Sequence, residues 1–129
     1  MLWLNSPPPP APAEIRRATD LISMYANNVH FELSIWDLKL IFGALEQEEG
    51  KEVINQRLAV TIPWLQAKIL SLFLQLHVAF YEAWQGKINV PPAFRPQRPS
   101  PDQEVPTDPA ARAIVEALHK KIEQLLADL

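Results

Sequence analysis

The stretch Thr61–Ile88, TIPWLQAKILSLFLQLHVAFYEAWQGKI, constrains this chain more than any other. Its spacing predicts one long helix that starts near Pro63 and stops at Gly86. Proline suits a first helical turn, where a missing N–H costs nothing, so Thr61 or Ile62 is the expected cap, with Thr61 the better chemistry. Large apolar residues fall on almost every side of that helix: Trp64, Leu65, Ile69, Leu70, Leu72, Phe73, Leu74, Leu76, Val78, Phe80, Tyr81 and Trp84. Lys68, Ser71, Gln75 and Glu82 recur at helical spacing and form one narrow polar stripe. A small sheet covers only one face of such a helix. The other flank calls for the C-terminal helix or the same helix of another subunit. A bilayer is the competing solvent, but the longest stretch without a charge, Ile69–Tyr81, is thirteen residues. A membrane span needs roughly 20. The expectation is a buried helix in a cytoplasmic protein.

A chain of 129 residues suits one domain, large enough to bury a core without metal or disulfide. There is no cysteine, which excludes disulfides, thiolate chemistry, zinc fingers and Fe–S clusters. The net charge is −3, and no basic cluster exceeds the pairs Arg16-Arg17 and Lys120-Lys121. Nucleic-acid binding needs a concentrated basic surface, so no nucleic acid is expected as partner. The segment MLWLNSPPPP has no basic region followed by an apolar stretch, and no signal peptide is expected.

Proline divides the chain. Five of thirteen prolines lie in 7–12, seven in 91–109, and only Pro63 falls between. The expected organisation is a Pro-rich extension over 1–24, a β-β-β-α core over 25–90, a Pro-rich linker over 91–108 and an amphipathic helix over 109–129. Residues 1–13 read as an extended tail with polyproline II at Pro7–Pro10, either solvated or docked on a neighbour. Residues 14–24 suggest a short helix, with Ile15, Leu21 and Ile22 on one side. Val29, Phe31 and Leu33 alternate with polar residues as in a half-buried strand, and Leu38, Leu40 and Phe42 repeat the pattern. The apolar phase changes near Ser34–Asp37, which predicts a turn or a bulge there. Glu46–Lys51 reads as a charged loop, Val53–Ile62 as a third strand and Lys87–Val90 as a short extra one. Asp108 and Pro109 have the chemistry of a helix start. Beyond them Val115, Leu118, Ile122, Leu125 and Leu129 follow a heptad seam, and the linker gives this helix reach to its own body or to a neighbouring subunit.

No catalytic constellation appears. His30, His77 and His119 lie on three separate elements without metal-ligand spacing. Three glycines do not make a phosphate loop. Glu46, Glu48, Glu49 and Glu52 lack the calcium pattern. No metal, no cofactor and no enzymatic activity are expected.

Taken together, Tyr25-Ala26-Asn27, then Ser34, Asp37, Leu40 and Phe42-Gly43, then Pro63 and Ala67-Lys68, then Tyr81-Glu82, Gly86 and Ile88 resemble a family of short prokaryotic proteins catalogued as a domain of unknown function. The resemblance covers about residues 25–88. Ile62 stands where the family usually has serine before the proline. The family implies no activity and no functional residues. The order of elements is also similar to that of SecB-type export chaperones, in which strands lead through a proline into a long helix, then a Pro-Pro turn and a last helix. That similarity implies an acidic oligomer that holds unfolded chains on apolar surface.

The fold expected is α+β: a small antiparallel meander of about three strands packed on one long apolar helix, plus a C-terminal amphipathic helix on a Pro-rich linker. The function expected is a non-enzymatic, oligomer-forming interaction domain, of which a chaperone-like adaptor is one form. The partner is then a second copy, in a dimer or higher oligomer, or another protein. The interface residues expected are Leu72, Leu76, Phe80 and Trp84 on the long helix and Val115, Leu118, Ile122 and Leu125 on the last. A strand–helix nucleic-acid regulator, a ligand carrier with a pocket between sheet and helix, and a subunit of a larger, membrane-associated complex are the alternatives.

Overall fold

The computed structural model describes residues 12–98 and 106–129. Its elements are strands β1 (Asn28–Leu33), β2 (Asp37–Glu48) and β3 (Lys51–Pro63), helix α1 (Trp64–Gln85), a short 3-10 turn at Pro92–Phe94, and helix α2 (Pro109–Ala127). The strands form one antiparallel sheet in the order β1-β2-β3. This is an α+β chain. It divides into two units, 1–68 and 69–129. The expected polyproline tail at Pro7–Pro10 lies outside the described residues, as does the middle of the linker.

In the first unit, β2 is the central strand and its register decides what each face carries. Val29 pairs with Phe42, Phe31 with Leu40, and Leu33 with Leu38. On the other side Leu38 pairs with Ile62, Leu40 with Val60, and Phe42 with Leu58. Directly opposed residues point to the same face of an antiparallel sheet, so nine apolar side chains share one face. The opposite face holds His30 beside Ile41 and Ala59, and Glu32 beside Lys39 and Thr61.

That register needs two local devices. The first is the β2–β3 turn. Glu48 pairs with Lys51, leaving only Glu49 and Gly50 between the strands. Both have positive φ, 49° and 76°, as a two-residue type I′ turn requires. Glycine adopts this backbone freely, whereas a glutamate there is strained. The expected charged loop over Glu46–Lys51 is therefore mostly strand: opposed pairing carries Glu46, Gln47 and Glu48 to the very end of the hairpin, because backbone hydrogen bonding outweighs their weak strand preference. The second device is a bulge. The register passes from Phe42↔Leu58 to Gly43↔Gln56, so Arg57 has no opposite number. Gly43 allows the close approach: a Cβ there would lie 2.7 Å from the Asn55 carbonyl oxygen.

The turn expected at Ser34–Asp37 is present. Ser34 N–H donates to the Asp37 carbonyl at 3.0 Å. The Ser34 Oγ accepts from the backbone N–H groups of Trp36 and Asp37, each at 3.1 Å, and donates to the Asp37 carboxylate at 3.1 Å. The helix start differs from expectation. Pro63 closes β3 opposite Asp37, and Thr61 pairs with Lys39 inside the sheet, so neither Thr61 nor Ile62 flanks the helix as its cap. The expected helix over 14–24 is also absent: apart from a turn closed by Leu21 N–H on the Ala18 carbonyl at 3.1 Å, the segment is irregular. Eleven residues without a continuous apolar stripe do not offset the cost of helix nucleation.

In the second unit, α1 ends where glycine predicts. Gly86 has φ 105°, its N–H donates to the Glu82 carbonyl at 2.9 Å, and the Glu82 carboxylate accepts from Ile88 N–H at 2.8 Å. That bond takes Ile88 away from strand pairing, and the expected strand over Lys87–Val90 does not form. The start of α2 is as expected: Asp108 accepts from Ala111 N–H at 3.3 Å, with Pro109 opening the helix. An ion pair joins Arg98 of the linker to Glu123 at 2.9 Å.

Two substitutions test the hairpin. Glu49→Asn relieves the positive-φ strain and stabilises the chain by about 0.5–1 kcal/mol. Gly43→Ala places a methyl group against backbone and costs about 1–3 kcal/mol. Urea unfolding monitored by far-UV circular dichroism reads both, with midpoints moving in opposite directions.

Candidate functional site

Polar side chains are where chemistry would reside, and most of the prominent ones here are occupied by the fold itself. Asn27 extends the β1 pairing: its N–H donates to the Gly43 carbonyl at 3.0 Å and its side-chain oxygen accepts from Leu45 N–H at 2.9 Å. Ser34 and Asp37 close the β1–β2 turn. The Ser34 carbonyl then accepts from the Trp64 indole N–H at 2.9 Å, which ties that turn to the first residue of α1. Glu82 terminates the same helix. His77 Nδ1 lies 2.7 Å from the Phe73 carbonyl one turn earlier, so this nitrogen carries the proton in that bond. At the hairpin end Glu46 pairs with Arg57 and, with Glu48, accepts from the Asn55 amide. Arg57 offsets one of the two carboxylate charges of this cluster, across the bulge. Among the described residues no group of three histidine or carboxylate side chains is placed to hold a metal ion.

The apolar surface is left, and it is extensive. Leu40, at 9% exposure, is the one buried large apolar side chain among the described residues, and α1 and α2 contain no buried residue. Each of the four residues expected to form an interface on α1 is more than half exposed: Leu72 55%, Leu76 63%, Phe80 72% and Trp84 72%. They follow one another at intervals of four and so form a single ridge along the helix. The Phe80 and Trp84 rings lie 6.5 Å apart at 44° and line a shallow apolar depression with Ala83. On α2 the four expected residues separate. Leu118 and Leu125 are exposed, whereas Val115 and Ile122 are half-buried along with Ala111, His119 and Leu126. In the first unit β2 packs along its length against both β1 and β3.

A third apolar surface was not anticipated as a unit: the shared sheet face, where Val29, Phe31, Leu33 and Val60 are all exposed. Ile22, Ser23, Met24 and Ala26 line a small cleft with Phe42 and Leu58. Ile35 and Trp36 at the tip of the β1–β2 turn are exposed as well. The alternations in β1, β2 and β3 are each visible in the sequence. Only the register shows that they coincide on one face. The polar face presents His30, Glu32, Lys39 and Thr61. One acid and one base do not make the positive field that a phosphate backbone requires.

No family model, curated protein or solved structure matches this chain. No helix among the described residues is long and apolar enough to cross a membrane.

If Ser34 serves the turn rather than a reaction, Ser34→Ala removes two accepted hydrogen bonds and one donated and costs about 1–2 kcal/mol of stability. Thermal unfolding checks this, and Ser34→Asn, whose amide oxygen accepts from the following N–H groups and whose amide nitrogen can donate to the Asp37 carboxylate, recovers at least half of the loss.

Proposed function

We propose that this protein is a non-enzymatic interaction domain that works as a homo-oligomer, with a chaperone-like adaptor as the form of activity its surfaces suit. The observation that carries the reading is the near absence of a core within one chain. Ordering a backbone costs about 1–2 kcal/mol per residue, and the offsetting term is apolar burial at about 25 cal/mol per Å². A chain whose described residues include one buried large apolar side chain gains the rest of that burial by association. Contiguous exposed apolar patches larger than a few hundred Å² on soluble proteins mark interaction sites. The ridge Leu72–Leu76–Phe80–Trp84 is one such patch, and the exposed positions of α2, Leu118 and Leu125 with Ile114, offer a second.

The polar residues support the same reading from the other side. The serine, aspartate, asparagine and glutamate that stand out in the sequence hold turns and a helix end, and these roles account for them without catalysis. The lack of cysteine suits a reducing compartment, and the cytoplasm is the setting we take for it.

Light scattering after size exclusion tests the proposal directly. The full chain, loaded on the order of tens of micromolar, elutes as a dimer or larger, within the range where a standard-sized interface stays assembled. A monomer at that concentration overturns the reading. A truncation ending at Val90 separates the two surfaces: an oligomer that persists uses α1 or the sheet, and one that dissociates uses α2.

A further inference from the structure

We propose that β1 is the edge along which two copies of this chain join, strand beside strand about a two-fold axis at Phe31, so that their two sheets continue as one. This deepens the interaction reading above and rests on it.

Among the described residues β1 and β3 are the two edges of the sheet, each paired on one side. An open edge is a template for another strand, and sheets that stay apart blunt their edges with bulges, proline and charge. β3 is blunted in all these ways: it starts with Lys51-Glu52, bulges at Arg57 and ends at Pro63. β1, with the sequence NVHFEL, has no proline and pairs with β2 without a bulge. The segment before β1 leads away from its edge, because Ile22, Ser23, Met24 and Ala26 line a cleft with Phe42 of β2 and Leu58 of β3.

The phase of β1 decides which of its groups reach the edge. Ser34 N–H donates to the Asp37 carbonyl, and bonded positions alternate along an antiparallel pair. Asn28, His30 and Glu32 therefore turn their backbone groups to β2, whereas Val29, Phe31 and Leu33 turn theirs outward. The side chains of these last three are exposed on the apolar face.

In one register β1 is complementary to itself. With Phe31 of one copy opposite Phe31 of the other, Val29 falls opposite Leu33, and outward-turned N–H and C=O groups meet at each of these pairs. The apolar face runs on across the join. On the polar face His30 of each copy falls opposite Glu32 of the other, at the non-hydrogen-bonded position where side chains approach closest. There the imidazole N–H has a carboxylate to donate to. The neighbouring registers lose this match. A two-fold axis at Glu32 sets that carboxylate against itself, and like charges directly opposite disfavour pairing. An axis at His30 leaves Glu32 opposite Asn28. An axis between two residues sets apolar side chains against polar ones. Face, hydrogen-bond phase and charge together select β1 of a second copy as the occupant of this edge.

The test uses the full chain. Isotopically labelled and unlabelled copies are mixed, and isotope-filtered NOE spectra are recorded, so that only contacts between different molecules appear. The proposal expects an intermolecular NOE between the Hα protons of His30 and Glu32, which face each other across a non-hydrogen-bonded pair. A dimer without that NOE, its intermolecular contacts lying on α1, α2 or β3 instead, overturns edge pairing while the interaction reading stands. A monomer overturns both. Two variants give an independent readout. His30→Glu sets like charges opposite each other twice in the dimer and raises its dissociation constant at least about tenfold, whereas His30→Lys keeps opposite charges and leaves the constant within about threefold. An unchanged constant in the first variant, or an equal rise in both, overturns the proposal.

Discussion

The pairing of β2 with both of its neighbours is the constraint on which the rest of this structure depends. Side chains on a strand alternate with a period of two, so a slip of one residue would send every apolar side chain to the opposite face. The observed register instead gathers Val29, Phe31 and Leu33, Leu38, Leu40 and Phe42, and Leu58, Val60 and Ile62 on one side. Leu40 lies at the centre of that set and is the most buried. The turns at either end hold the register: Ser34 and Asp37 fix β1 against β2, and Glu49-Gly50 fixes β2 against β3. The bulge at Arg57 ends the apolar run. Beyond it the same face becomes polar with Asn55, Glu46 and Glu48.

A second consequence concerns the polar residues. A small sheet with short turns leaves backbone groups at its ends without ladder partners, and unpaired groups of this kind are costly when water is excluded. The Asn27 side chain satisfies such a group across the sheet, at Leu45, Ser34 satisfies two within its own turn, and Glu82 does the same for the chain leaving α1. These are the residues that draw attention in the sequence, together with Gly43 and Gly86. Each has a geometric reason to be what it is. The chain therefore directs these polar residues to shaping itself, and large apolar side chains are prominent among those left exposed.

Much of this was legible in the residues. The alternation in 29–33 and 38–42, the turn between them, the stop at Gly86 and the start of α2 at Asp108-Pro109 are local: each depends on side chains within a few positions of one another, and local preference decides them. The readings that failed needed distant information. Glu46–Lys51 looks like a loop because charged residues disfavour strands, yet the opposite strand recruits it. Lys87–Val90 looks like a strand because its residues alternate, yet no strand is beside it and the Glu82 carboxylate claims Ile88. Thr61 looks like a helix cap, yet its place opposite Lys39 keeps it in the sheet.

The amino-acid order by itself determined the order of three strands and two helices and the places where those helices begin and end, because these follow from spacing, from proline and glycine, and from the distribution of apolar residues. Tertiary structure alone decided that three separate alternations share one sheet face, that Arg57 is bulged, that α2 divides its apolar residues between half-buried and exposed positions, and that within one chain a single large apolar side chain among the described residues is buried. The reason is physical: pattern is a property of neighbours along the chain, whereas register and burial are properties of partners across it.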